Sequence, residues 1–207
     1  MNHTDTGKKL HIFLLLSLTA ALVWSLVGCF DIVTWVLEAF WVIIGVAVLI
    51  LTYRKFRFTN LTYVLIWLHC LILLIGAHYT YSRMPLFNWF RDAFELSRNH
   101  YDRLGHFFQG FVPAIITREV LWHKSPLKGS RWLSFVVLSF CLAFSALFEL
   151  FEWLVAAIAA DGAVDYLATQ GDVWDTQKDM ALCLIGAALA LLTLGRLQNR
   201  FLRQFGA

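Results

Sequence analysis

Three short stretches hold most of the side chains in this sequence that could do chemistry. They are Tyr101-Asp102-Arg103-Leu104-Gly105-His106-Phe107, Phe148-Glu149-Leu150-Phe151-Glu152-Trp153, and Gly171-Asp172-Val173-Trp174-Asp175-Thr176-Gln177-Lys178-Asp179-Met180. Asp102 and His106 are four residues apart, with Gln109 and Pro113 continuing their face. Glu149 and Glu152 are three apart, and Asp175 and Asp179 four. On a helix such spacings stack side chains one above another. Hard carboxylate oxygens with one imidazole suit a divalent metal ion such as zinc, iron, manganese or magnesium. In that arrangement His106 is a ligand, Asp102 orients it or ligates as well, and Glu149, Asp175 and Asp179 supply oxygens. Glu152 is the candidate general base toward a metal-bound water. Asp102 and Arg103 complete the catalytic set, Arg103 by pairing with one of the two glutamates. Asp172, Gln109, Glu38 and His78 are further candidates, His78 as part of a substrate entrance.

Each of these residues has a structural role to weigh as well. Asp102 suits the cap of a fourth helix, and Asp175 the cap of a sixth. Asp179 would then lie in a first turn, where the helix dipole favours a carboxylate. His106 alone suits a packed core histidine, and His78 an interfacial anchor. Glu149 and Glu152 fit no such role, because neither lies at a helix N-terminus.

The elements that must position these groups are long and apolar. Of 207 residues, 59% are hydrophobic and 15% charged, and the mean hydropathy is +0.65. A soluble domain is nearer half apolar and a quarter charged. A bilayer span takes roughly 20 apolar residues. Six segments approach that length, at 11–30, 33–52, 60–80, 101–122, 132–157 and 178–195. The expected fold is therefore all-α: one transmembrane domain, residues 1–207, built as a bundle of about six transmembrane helices. Within 81–100, Pro85 opens a short amphipathic stretch with Leu86, Phe90 and Phe94 on one face and an Arg91–Glu95 pair on another. That pattern predicts an interfacial helix between the third and fourth spans.

Orientation follows from charge. Lys8, Lys9, the run Tyr53-Arg54-Lys55-Phe56-Arg57, the 124–131 connection and the tail with Arg196, Arg200 and Arg203 all fall on one side of a six-span chain. The positive-inside rule makes that side cytoplasmic, with both termini there, in a bacterial inner membrane. The fourth helix then starts outside, the fifth ends outside and the sixth starts outside. The three acidic stretches meet at one depth, and Glu38 lies a turn or two into the second helix from the same side. Of the acids, only Asp5 and Glu119 clearly belong to the inner half, which reads as nearly free of polar residues apart from Arg118 and Glu119 at its edge. Carboxylates so close in a low-dielectric site must share protons, pair with Arg103 or bind a cation.

Other chemistries find no support. Cys29, Cys70, Cys141 and Cys183 stand alone in apolar sequence, with no metal-cage spacing. Leu26-Val27-Gly28-Cys29 resembles a lipoprotein cleavage box, yet the apolar run before it exceeds the usual h-region of about 7–15 residues. The net charge of +3 is spread as membrane topology requires and implies no nucleic acid. No phosphate loop, dinucleotide fingerprint, haem motif or nucleophile elbow occurs.

The three stretches together resemble the YjdF-type family of small bacterial inner-membrane proteins, over nearly the whole chain. More distantly they resemble VanZ-like membrane proteins, a group linked to glycopeptide-antibiotic tolerance. The Asp-Lys-x-x-His-Phe pattern of that group resembles Asp102 to Phe107, with Arg103 in the Lys place. Its Glu-x-x-Gln pattern resembles Glu149 to Glu152, with Glu152 in the Gln place. Its later Asp with a downstream Asn and Gly resembles Asp179, Cys183 and Gly186, with Cys183 in the Asn place. The likeness implies that the three stretches form one site. The leading expectation is a metal-assisted hydrolase or transferase acting on a lipid or lipid-linked substrate at the outer leaflet. The others are a proton- or cation-coupled transporter and a non-catalytic membrane assembly factor.

Overall fold

The computed structural model describes residues 3–159 and 169–205, and every regular element among them is helical. The order is α1 (His3–Leu26), α2 (Ile32–Thr52), α3 (Asn60–Tyr79), a 3-10 turn (Tyr81–Arg83), α4 (Pro85–Ala93), α5 (Tyr101–Lys124), α6 (Arg131–Ala159) and α7 (Asp175–Phe205). Local sequence starts several of them. The Asp31 carboxylate accepts from the Thr34 N–H at 2.7 Å and caps α2, while the Thr59 hydroxyl accepts from the Thr62 N–H and caps α3. Each such cap satisfies one of the amide donors a helix start leaves without a partner.

Five helices are long and apolar enough to cross a bilayer: Gly7–Leu26, Ile32–Thr52, Asn60–Tyr79, Arg131–Ile158 and Asp175–Gln204. The expectation of six is reached only by counting α5. Its 24 residues give about 36 Å of helix, but its composition is too polar to be grouped with the five. The polar groups are turned inward: Asp102, His106, Gln109, Arg118 and Glu119 are all buried. The last helix also departs from the expected 178–195. It begins at Asp175 and continues to Phe205, because Gln198 and Asn199 still have partners on α5.

α4 is the expected interfacial helix. None of its residues is buried, and Leu86, Trp89 and Phe90, with Phe94 just beyond, expose an apolar face. The expected Arg91–Glu95 pair does not form. The helix ends at Ala93, Glu95 turns to a φ of 51°, and Arg91 pairs with Asp92 at 2.8 Å.

Hydrogen bonds fix the directions of the helices. His11 meets Asn60 at one end of the bundle, and Ser25 meets His78 at the other, so α1 and α3 run the same way. α5 and α7 also run parallel, from the end holding Asp102 and Asp175 to the end holding Arg118 and Gln198. We call these the acidic end and the basic end. α5 and α7 pack most intimately, through two glycines. A Cβ on Gly110 would fall on the Cys183 carbonyl, and one on Gly186 on the Phe107 carbonyl. Small residues at such crossings let helix backbones approach closely. Around this seam lies a core of Ala114, Ile115, Val137, Cys141, Ala187 and Ala190. A second core, with Leu18, Ala39, Val42, Cys70 and Leu74, joins α1, α2 and α3.

Candidate metal centre

The acidic end gathers side chains from α2, α5, α6 and α7 around His106. Its Nδ1 is 3.1 Å from Gln109 Oε1. On the other side of the ring, Nε2 faces Asp102 Oδ1, 3.6 Å away. Glu149 Oε1 approaches from α6, 3.6 Å from Nδ1. One potential ligand atom from each of Asp102, His106 and Asp179 lies within 4.8 Å of the other two, and the same holds for His106, Glu149 and Glu152. Two oxygens in this cluster, Glu149 Oε1 and Asp179 Oδ1, are buried without a hydrogen-bond partner among the described residues. An unpaired polar atom away from water is costly, and an ion held within either group would satisfy the oxygen that belongs to it.

Glu38 reaches the same place from α2. Tyr81, read in the sequence only as part of the 78–81 stretch at a substrate entrance, holds it. The Tyr81 ring sits between two glycines: a Cβ on Gly76 would come within 2.5 Å of the ring, and one on Gly105 within 3.1 Å. From that slot its hydroxyl donates to Glu38. The signal in the sequence was weak, since neither glycine is near Tyr81 in the chain except across a turn at Thr80, whose φ is 54°.

Arg98 is the second residue that sequence reasoning missed. Buried at 3% exposure, it hydrogen-bonds Asp175 and approaches Asp102 at 3.6 Å and Asp172 at 3.8 Å. It stands four residues before Asp102, a spacing that was available to notice. Arg103, expected on Glu149 or Glu152, instead pairs with Asp172 at 2.6 Å, because it projects toward the 169–174 turn. The Lys178 ammonium beside Asp172 holds that carboxyl below its ordinary range. His100 Nδ1 lies 3.3 Å from Arg103 Nη1. Burial, reinforced by Arg103 and Arg98, pushes the His100 imidazole down. Arg103 and Asp172 thus belong to a fastening of the connections above the cluster. Asn99 and Gln170 continue it, joined by two hydrogen bonds of 2.9 Å.

The capping role weighed for Asp102 is not the one observed. His100 occupies the cap position of α5 without a capping side chain, and Asp102 lies in the first turn facing Arg98 and His106. Asp175 opens α7 but is bound to Arg98, beside the two ligand groups and not within them. His78 is apart from the cluster. It stacks on Trp24 with centroids 4.6 Å apart, and its Nδ1 is 3.0 Å from the Ser25 carbonyl, so it anchors α3 to α1.

Two cavities meet the cluster. The larger, about 390 Å³, has Glu38, Tyr81, Asp102, His106, Gln109 and Glu152 on its polar side, and its other walls are mostly apolar, with Trp41, Ile44, Ile116, Phe144 and Phe148 among them. The smaller, about 210 Å³, is lined by Glu149, Trp153, Thr169, Asp175 and Thr176, and again by Glu152. Glu152 is the wall they share.

At the basic end the expectation of a nearly apolar inner half fails. Glu119, fully buried, accepts from the Thr59 N–H at 2.6 Å, the Thr59 hydroxyl at 3.0 Å, the Thr62 hydroxyl at 2.5 Å and Gln198 Nε2 at 3.5 Å. Arg118 donates to Gln198 and Asn199. Thr59 and Gln198 lie just outside the expected segments 60–80 and 178–195, where nothing in the spacing drew attention to them.

Comparison with known proteins agrees with the membrane reading. The family described as "Predicted membrane protein (DUF2238)" matches residues 10–200. The inner membrane protein YjdF of Escherichia coli (strain K12) is 44% identical over 191 residues, 92% of this chain and 91% of that protein. No solved structure matches. With apolar helices long enough to span a bilayer and a match along almost its full length, this chain belongs to the DUF2238 family of multi-pass membrane proteins.

Proposed function

We propose that the His106 cluster is a divalent-metal site serving hydrolysis or group transfer on a lipid or lipid-linked substrate at the outer leaflet. One observation carries the reading: an imidazole flanked by two carboxylate pairs, with two oxygens left unpaired, closes one side of a cavity that is apolar elsewhere. Asp102, His106 and Asp179 would hold the ion, with Glu149 beside them. A bound divalent ion supplies an activated water and polarises a phosphoryl or acyl oxygen. Gln109 fixes the tautomer of His106, as hydrogen-bonded neighbours of metal ligands do. Glu152, between the two cavities, takes the proton from a water entering by the smaller one, while the larger receives the hydrocarbon part of the substrate. Exposed Ile44 and Phe144 mark the lipid side of that cavity, where Trp41 bridges α2 to α6 through Phe148 at 5.8 Å and Phe151 at 5.4 Å. The basic connections favour the acidic end facing outward, with both termini cytoplasmic.

The carrier alternative gains little. Between the two polar clusters lie Val112, Ala114, Ile115, Cys183, Ala187 and Ala190, all buried, an apolar layer with no evident polar path among the described residues. Elemental analysis of the purified protein tests the proposal. About one zinc, manganese or iron per chain in the wild type, absent from His106→Ala, is the expected result. Equal metal in both, or none in either together with no thermal shift on adding these ions, would overturn it.

A further inference from the structure

A third cavity, of about 380 Å³, lies between α1, α2 and α3 at the basic end, remote from the acidic cluster. Its walls are Ile12, Leu15 and Leu18 from α1, Val46 and Ile50 from α2, and Trp67 from α3. α1 packs mainly on α3 and barely on α2, so the cavity opens sideways, where Ile12 and Ile50 are each 57% exposed. Its basic-end rim is polar and contains no acid: Lys8, His11, Tyr53 and Tyr63. Both nitrogens of His11 are engaged, with Tyr53 at 2.8 Å and Asn60 at 2.9 Å, which fixes the rim. Arg57 lies over the Tyr53 ring, 4.6 Å from its centroid, so a second cation stands over a residue of the rim that Lys8 also lines. Trp67 Nε1 donates to Ser17 at 2.9 Å and fixes the wall.

We propose that this cavity is a binding site for one anionic phospholipid of the bilayer. An acyl chain lies along Leu15, Leu18 and Trp67, and the phosphodiester sits between Lys8 and Arg57. Charge selects the occupant. A cation pair at headgroup depth attracts anionic lipid, while a zwitterionic lipid carries its own ammonium into the same place. The side on which this end lies in the six-span reading is the leaflet where such basic segments meet anionic lipid. The site is independent of the metal proposal, since Ile66 is the only residue lining both large cavities.

Native mass spectrometry of the detergent-solubilised protein, titrated with phosphatidylglycerol or phosphatidylcholine of the same acyl chains, tests this. One phosphatidylglycerol is retained with roughly thirtyfold preference, the worth of two basic residues near a headgroup. Lys8→Glu combined with Arg57→Glu removes the preference, and Ile50→Trp, which fills the cavity, removes retention of both lipids. Melting of each variant in lipid-free detergent separates loss of binding from loss of fold. Equal retention of the two lipids by the wild type overturns the proposal. So does a preference that survives charge reversal, or retention that survives Ile50→Trp in a protein that melts normally.

Discussion

The two buried polar clusters at opposite ends of α5 both contain carboxylates but are finished differently. At the basic end, Glu119 has its oxygens filled by two threonine hydroxyls, an amide N–H and a glutamine. At the acidic end, Glu149 and Asp179 each keep an oxygen with no hydrogen-bond partner among the described residues. A fully satisfied polar network rigidifies the bundle, whereas a partly satisfied one is costly unless something else completes it. Glu119 therefore reads as a structural group, and His106 with its neighbours as a place prepared for a ligand.

The sharpest way to break this contrast is to remove an acid from each cluster. Glu119→Ala strands the Thr59 amide and two threonine hydroxyls, each buried donor costing about 1–3 kcal/mol. It should lower stability by several kcal/mol, read as a collapse of the melting temperature in detergent. Asp179→Asn, measured in chelator, should change stability by less than about 1 kcal/mol, because it relieves repulsion instead of stranding donors. If the two variants melt alike, the contrast is wrong.

Next in size is the response to metal. At a hundredfold excess over its Kd, a bound ion adds about 2.7 kcal/mol, so manganese or zinc should raise the melting temperature of the wild type and of Glu119→Gln by similar amounts. His106→Ala and Asp179→Asn should show no rise. A rise that persists in His106→Ala would move the ion elsewhere. Tyr81→Phe probes the support of the site. Losing its hydrogen bond to Glu38 should cost about 1 kcal/mol and leave the metal-induced shift in place. The smallest effect concerns the fastening above the cluster. Because Asp172 titrates below its ordinary value of 3.8, its contribution is present above that pH and fades as pH falls through the lowered value. Asp172→Asn should melt slightly below the wild type at neutral pH, and the gap should close on acidification.

How much of this was legible in sequence follows from what kind of signal each part leaves. Long apolar blocks fix the helices, and i to i+4 spacing combined with alternating chain direction brought Asp102, His106, Glu149 and Asp179 together on paper. Glu38 could be attached by depth alone. Helix ends were less legible: α7 runs to Phe205 through contacts of Gln198 and Asn199 that no local pattern announces. The residues missed share one property, that their role depends on a partner far along the chain. Arg98 acquires its meaning from Asp175, 77 positions away, and Tyr81 from the glycines that admit its ring. Arg103 went astray for the same reason, since its choice between Glu149 and Asp172 turns on a few ångströms of loop. The inner polar cluster was overlooked because threonine and glutamine scarcely disturb a hydropathy average.

One consequence of the length of α7 concerns mechanics. Its 31 residues extend about 46 Å, against a hydrocarbon slab of about 30 Å, so α7 must tilt or outreach the slab. Asp179 is near its foot, and Arg196, Arg200 and Arg203 form a stripe near its head. Gln198 and Asn199 bind Arg118 of α5 between them. The surplus length is therefore braced by its neighbour, and it carries the exposed arginines away from the apolar core.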